Sequence, residues 1–421
     1  PPPPLPLLCT QGADFGNNAS HAKQCALQQY LRNVSDAGGN SLRVWLFVEG
    51  QTVPVFDART GMVTATDGAG SMARNLRVFL RNAKALDILV TLVLWNGALM
   101  REPNMQHLIT SRPKLQSFFD HALTPLVAAL RNEPALAAWE IMNEPEGSVD
   151  PTTVDPDQPC FDTSTVLGGS GAGWAGHRAT MQDLLAFFNR HAAAIHAADP
   201  TALVTVGSWS QYAATDAQGV GKPGTRFFNY YKDACLEAAG GHKASAGGGL
   251  DFYQVHTYAH GGGVFDVGRP FGTGVRSVQS YELDKPMVVG EFSAGSTKGK
   301  RGVAELYTTA LQKGFAGAWD WSLLGGDGND DEVVADAGMQ ALRHDPRVRL
   351  VLAEGGAGGG GGGAAVATTV AAATTATTCT CSDKAPPGSY SCKQQAGWGK
   401  CTAPFMKGFC CLSCHGCEHC S

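Results

Sequence analysis

From residue 40 to residue 342 the sequence alternates short apolar runs with longer amphipathic ones, and this alternation narrows the fold more than any other feature. Residues 40–48, 88–95, 135–142, 202–207, 250–257, 287–289 and 317–321 are brief and apolar, as expected of strands buried on both faces. Around them lie stretches with helical spacing at 20–37, 72–86, 113–131, 176–198, 225–239, 275–283, 300–313 and 338–342. Leu76, Phe79, Leu80 and Ala83, for example, share one helical face. Gly38-Gly39 and Pro200 end two of these stretches. Loops fill 49–70 and most of 143–175, the latter rich in Gly, Pro and Asp. Repeated strand–helix order requires a parallel sheet, either open and doubly wound or closed as a barrel.

Two features favour the barrel. Polar or aromatic residues stand at many strand C-termini: Trp95, Asn143, Glu144, Trp209, His256, Tyr258, Glu291 and Trp321. No Gly-rich phosphate fingerprint follows the first legible strand, as a dinucleotide-binding sheet would need. The expected class is therefore α/β, a (β/α)8 barrel. Seven strands are legible rather than eight. The eighth would precede the helix at 20–37, where Pro1 to Pro4 and a patch interrupted by Pro6 stand instead. The first strand is expected to be missing or degenerate, which would leave sheet edges on either side of the gap.

Composition excludes several partners. Charged residues are 16% of the chain, the net charge is -5, and no basic stripe is present, which argues against nucleic acid and for a neutral substrate. The longest apolar run, Ile88 to Trp95, is too short to span a bilayer, so no membrane association is expected. Nine of the 13 cysteines fall in the last 43 residues, a density that implies disulfides and an extracellular setting. The total is odd, so at least one thiol must be free, intermolecular or otherwise bound. The chain starts at Pro1 without a signal peptide, so the natural N-terminus is expected to have been lost by processing or truncation. The expected organisation is a Pro-rich segment at 1–16, the barrel at 17–354, a Gly/Ala/Thr linker at 355–378 and a cysteine-rich module at 379–421.

Two strand ends carry the chemistry. Trp139-Glu140-Ile141-Met142-Asn143-Glu144-Pro145 delivers an amide and a carboxylate, and Pro145 forces the backbone to turn. Pro286-Met287-Val288-Val289-Gly290-Glu291-Phe292 delivers a second carboxylate. The two lie on strands n and n+3 of the barrel. Glycoside hydrolysis uses two carboxylates flanking the scissile bond, about 5–5.5 Å apart in retaining enzymes. The donor, Glu144, must carry a proton when that bond breaks. Arg43 and Tyr258 are placed to stabilise charge on Glu291, and Asn143 to bind a sugar 2-hydroxyl. Trp95, Trp209 and Trp321 offer flat apolar faces to sugar rings. A single strand-end Glu is more often solvated or salt-bridged, so Glu102, Glu133 and Glu305 are read as structural. Arg43 alone would read as a core ion-pair partner, and His256 as a packed core histidine. The pair in its two motif contexts is more specific than any one member.

These motifs, with Leu42-Arg43-Val44-Trp45, His256-Thr257-Tyr258 and Trp319-Asp320-Trp321, resemble glycoside hydrolase family 5, in the family's order and over about residues 14 to 350. Within it the sequence is most similar to the endo-β-1,4-mannanases of molluscs and other invertebrates. The resemblance implies a retaining hydrolase with Glu144 as acid/base and Glu291 as nucleophile. It places Arg43, Asn143, His256, Tyr258 and Trp321 around them and implies no metal or organic cofactor. The expected substrate is β-mannan or a related plant or algal polysaccharide, cut by a secreted monomer. An endo-β-1,4-glucanase and an inactive carbohydrate-binding protein are the alternatives. The tail resembles short cysteine-rich modules of polysaccharide hydrolases, with Tyr390 and Trp398 as candidate carbohydrate-binding residues. A structural knot around Trp398 is the alternative reading, and His415 and His419 among close cysteines admit zinc, although the adjoining linker favours disulfides.

Overall fold

The computed structural model describes residues 24–218, 224, 226–258, 277–297, 301–321, 337–345 and 348. The Pro-rich segment, the linker and the cysteine-rich module, with Tyr390 and Trp398, lie outside the described residues.

Seven strands form one parallel sheet in sequence order: β1 (Ser41–Val48), β4 (Leu89–Asn96), β5 (Leu136–Asn143), β6 (Val204–Ser208), β7 (Tyr253–Thr257), β8 (Met287–Phe292) and β9 (Ala318–Asp320). A small antiparallel pair, β2 (Val55–Phe56) and β3 (Val63–Ala65), interrupts the loop after β1. The helices are α1 (Gln24–Asp36), α2 (Met72–Ala85), α3 (Pro103–Thr110), α4 (Arg112–Phe118), α5 (Thr124–Leu130), α6 (Met181–Ala198), α7 (Asp233–Gly240), α8 (Val303–Gln312) and α9 (Ala337–Arg343). This curled parallel sheet with helices is the (β/α)8 fold expected from the alternation. Every residue of β4 is buried, as a strand covered on both faces must be. The face Leu76, Phe79, Leu80 and Ala83 of α2 is buried against the sheet layer.

The sheet curls until its outer strands meet through side chains. Trp319 Nε1, on β9, donates to Ser41 Oγ, on β1, at 3.0 Å. Just beyond, the rings of Trp45 and Trp321 meet edge to face, centroids 6.0 Å apart. Among the described residues no strand lies between β1 and β9. The segment expected to hold a first strand, 1–16, lies outside them. At the other end of the strands, α9 braces the seam. Arg343 donates to the carbonyls of Gly39 and Leu86, and Gln340 to that of Asp36.

Several elements depart from the sequence expectation for local reasons. The helix expected at 113–131 is α4 and α5 joined by a π turn over Phe119–Leu123. Pro125 has no N–H and its ring crowds the carbonyl four residues back, so the helix widens there instead of continuing evenly. Residues 226–232 are not helical. Asp216 accepts from the Asn229 N–H at 2.9 Å, and the Asn229 side chain accepts from the Tyr231 N–H at 3.0 Å. Those local bonds compete with a helix start, which falls at Asp233 instead. The helix expected at 275–283 is a single 3-10 turn, Val278–Tyr281, among the described residues.

Cys160 and Cys235 form a disulfide, tying the long loop after β5 to α7 across a separation of 75 residues. Loop-closure entropy for a bridge of that span is on the order of 4 kcal/mol. Full reduction is therefore expected to lower the unfolding midpoint in urea, and Cys160→Ala/Cys235→Ala to reproduce that loss without reductant. An unchanged midpoint in the double variant would show that the bridge does not stabilise the barrel.

Candidate active site

Arg43 organises the centre of the sheet. It stands on β1, and its side chain is 5% exposed. Its Nε donates to Glu140 Oε2 at 2.6 Å, and its Nη2 to Glu140 Oε1. Nη2 also donates to Asn143 Oδ1 at 2.7 Å, and Nη1 to Glu291 Oε1 at 2.6 Å. One guanidinium fork thus ties β1 to β5 and β8. Burial works against its charge, but Glu140 and Glu291 outweigh it and push the pKa further up, so Arg43 remains a cation.

Glu140 was not singled out from the sequence. It is fully buried in mid-strand. A signal existed: a carboxylate inside an apolar strand requires a partner, and an arginine in another strand is the natural one. Space for the pair comes from the facing strands. A Cβ on Gly207 of β6 would collide with Glu140 Oε1, and a Cβ on Gly290 of β8 with Gln254. Glycine at these positions lets long polar side chains fill the barrel interior.

Glu144 ends β5 in the left-handed region, φ 42 and ψ 58, which is uncommon for a residue with a Cβ. Its N–H donates to Gly207 O at 2.6 Å, and Pro145 begins a 3-10 turn directly after it. This abrupt reversal aims the carboxylate across the C-terminal rim. His256, fully buried on β7, places Nδ1 at 2.8 Å from Glu144 Oε1 and 3.4 Å from Glu291 Oε2. Burial disfavours the imidazolium, yet Glu291 and Glu144 more than compensate, and the histidine pKa is raised. Tyr258 donates its hydroxyl to Glu291 Oε2 at 2.7 Å. Burial and the Glu291 charge push the phenol pKa far up, so it stays a donor. The side chain of Glu144 is 19% exposed and that of Glu291 7%. One oxygen of Glu144, one of Glu291 and a nitrogen of His256 all lie within 4.8 Å of one another. Among the described residues this trio has the spacing of a metal site, and its hydrogen bonds with Tyr258 and Arg43 account for the same convergence without an ion.

The other expected residues distribute differently. Asn143 is buried, with Oδ1 held by Arg43 and Nδ2 at 3.3 Å from Asn96 Oδ1. Trp209 and Trp321 are partly exposed at the rim, at the ends of β6 and β9. Trp95 does not offer a face to sugar. It is completely buried, packed between Phe47 and Phe118, and donates its N–H to His191 at 3.3 Å. Its neighbour Asn96 turns to Asn143 instead, Oδ1 lying 3.3 Å from Asn143 Nδ2, while the Trp95 ring meets Phe118 of α4. Glu133 and Glu305, read as structural, meet Arg77 and Arg301 at 3.2 and 2.9 Å.

Sequence reasoning also missed Glu146. Its carboxylate is fully buried and accepts from Ser208 Oγ at 2.6 Å, the Trp209 N–H at 3.1 Å and the Tyr231 hydroxyl. Burial raises its pKa, and the Ser208, Tyr231 and Trp209 donors pull it back. The bonds clamp the turn after Glu144 to the end of β6. Glu-Gly after a proline reads as a solvated turn, so nothing in the local sequence marks this role.

A parallel barrel with two facing carboxylates at its C-terminal rim is the frame of a glycoside hydrolase. The chain belongs to glycoside hydrolase family 5: the family's cellulase profile matches residues 10–325. It is 41% identical over 335 residues to a mannan endo-1,4-beta-mannosidase of Cryptopygus antarcticus, covering 79% of this chain and 82% of that one. It is 42% identical over 314 residues to the mannan endo-1,4-beta-mannosidase of Mytilus edulis, covering 73% and 79%. Among solved structures, the endo-1,4-beta-mannanase of Eisenia fetida superposes with a TM-score of 0.70 at 40% identity, over 80% of this chain and 88% of that one.

Proposed function

We propose that the protein is an extracellular endo-β-1,4-mannanase that cleaves mannan-type polysaccharides with retention of anomeric configuration. The observation that carries the stereochemistry is the approach of Glu144 and Glu291 oxygens to within 4.8 Å. Retaining enzymes hold their carboxyl groups about 5–5.5 Å apart, whereas inverting ones need about 6.5–9.5 Å to admit a water. The mannan preference is supported by the identity to the two invertebrate mannosidases. The extracellular setting is supported by the Cys160–Cys235 disulfide.

In this reading Glu291 attacks the anomeric carbon while Glu144 gives its proton to the glycosidic oxygen. The bond to the leaving sugar breaks as the ester to Glu291 forms. His256 Nδ1, 2.8 Å from Glu144 Oε1, occupies that oxygen and leaves Oε2 to carry the proton in this reading. Glu144 then takes a proton from water, the resulting hydroxide opens the ester, and both carboxyls return to their starting states. Arg43 and Tyr258 bind opposite oxygens of Glu291 and stabilise its charge before attack and after ester hydrolysis. Asn143, held by Arg43, is assigned in this reading to the sugar 2-hydroxyl.

Reducing-sugar release from mannan, glucomannan and carboxymethylcellulose tests the assignment. We expect mannan and glucomannan to be cut and carboxymethylcellulose to be left nearly intact. Preference for carboxymethylcellulose would make the protein a glucanase, and no release from any of the three would leave it a carbohydrate-binding protein. Proton NMR of the earliest products is expected to show the β-anomer, and an α-anomer would overturn the retaining mechanism.

A further inference from the structure

Each proposed catalytic carboxylate has a tryptophan at the end of the next strand. Trp321 follows β9, beside Glu291 on β8, and Trp209 follows β6, beside Glu144 on β5. Around each, a second tryptophan completes a cluster. On the first flank it is Trp45, over which the Arg43 guanidinium lies, 5.2 Å from the centroid. On the second flank it is Trp174, from the long loop after β5, edge-on to Trp209 with centroids 5.5 Å apart.

Trp174 is 44% exposed, an unusual state for so large an apolar side chain in this chain's described residues. It is nevertheless held in place. Gly173 N–H donates to Glu146 O and Ala175 N–H to Gly147 O, each at 2.8 Å, so the segment carrying Trp174 is bonded directly to the turn after Glu144. The indole rests on Gly147, where a Cβ would approach its Cε2 to 2.9 Å. Gly147 is in turn fixed by the neighbouring Glu146 clamp. An exposed indole whose backbone is held in place gives up little entropy on binding, and its exposed apolar surface suits the C–H face of a pyranose.

We propose that Trp174 is a binding residue for the departing side of the polysaccharide. Resting on the mannanase reading, this names the part of the substrate that the β5–β6 flank holds. Glu144 protonates the oxygen of the leaving sugar, so the loop carrying Glu144 faces that sugar and its successors. Trp45 and Trp321 sit on the opposite flank, with Arg43 and Glu291, beside the sugar that becomes esterified. Trp174 therefore contributes only when a leaving-side sugar is present, and it favours endo-cleavage of long chains over trimming of short ones.

The test compares mannohexaose with β-mannobiosyl fluoride, whose leaving group fills no sugar subsite, in the full chain. Trp174→Ala is expected to lower kcat/KM on mannohexaose roughly ten-fold, about 1.4 kcal/mol, and to change fluoride hydrolysis less than two-fold. Trp174→Phe, which keeps an aromatic face, is expected to recover most of the hexaose activity. Equal losses on both substrates would reduce Trp174 to a structural residue and overturn the proposal. So would an Ala variant with unchanged hexaose kinetics. A wild-type protein that turns over neither substrate would overturn the mannanase reading instead, and the proposal with it.

Discussion

Glu144→Ala is expected to cut turnover of mannan by roughly 10²–10⁴-fold, the usual contribution of a positioned general acid. The loss should depend on the leaving group. An aryl mannoside with an acidic phenol needs no proton to depart, so ester formation on Glu291 should proceed nearly as before. Hydrolysis of that ester should then be slow, because no base activates water, and an initial burst of phenol should appear. Added azide needs no base and should restore the second step, releasing a β-mannosyl azide. Glu291→Ala should behave oppositely: no burst with any leaving group, and with azide an α-mannosyl azide formed by direct displacement. Exchange of these two patterns would exchange the roles of the glutamates. Full activity in both variants would remove them from the mechanism.

The largest effect on stability is expected from Glu140→Ala. Glu140 has no solvent exposure and holds Arg43 through both carboxylate oxygens. Without it the buried guanidinium keeps only Glu291 and Asn143 among these partners. Breaking a buried pair on one side typically costs about 3–5 kcal/mol, because the remaining charge stays buried. Urea unfolding should register that loss, with Glu140→Gln falling between alanine and the parent. Activity should fall as well, since Arg43 would no longer be fixed against Glu291. An unfolding free energy within about 1 kcal/mol of the parent's would mean that the strands alone hold Arg43 in place.

The seven strands were legible because parallel strands buried on both faces read as unbroken apolar runs, as β4 does. The β2–β3 pair was not, because two- and three-residue strands are too short to show alternation. The π turn escaped notice because Pro125 interrupts a pattern that continues on both sides of it. The strand-end glutamates stood out because a carboxylate closing an apolar run is unusual. What surrounds them was harder to read. Glu140 lies in the same strand, but its partner is 97 residues away in sequence. Glu146 is held by Ser208 and Tyr231, from two later segments. Trp95 was misread because its position near the strand end was weighed, whereas its packing partners Phe47 and Phe118 come from other segments and leave no mark on the local sequence.

The two glycines facing the barrel interior bear on how sequences of this kind can diverge. Gly207 exists to accommodate a carboxylate on β5, and Gly290 an amide on β7. Neither can acquire a side chain while its opposite number keeps its length. Descendants should therefore change such positions in pairs, small-against-large becoming large-against-small, or leave both untouched. Glu140 also anchors Arg43, so its half of the exchange would strip Glu291 of its cation's support. Gly207 is thus the less substitutable of the two, although it contributes no side-chain atom to the chemistry.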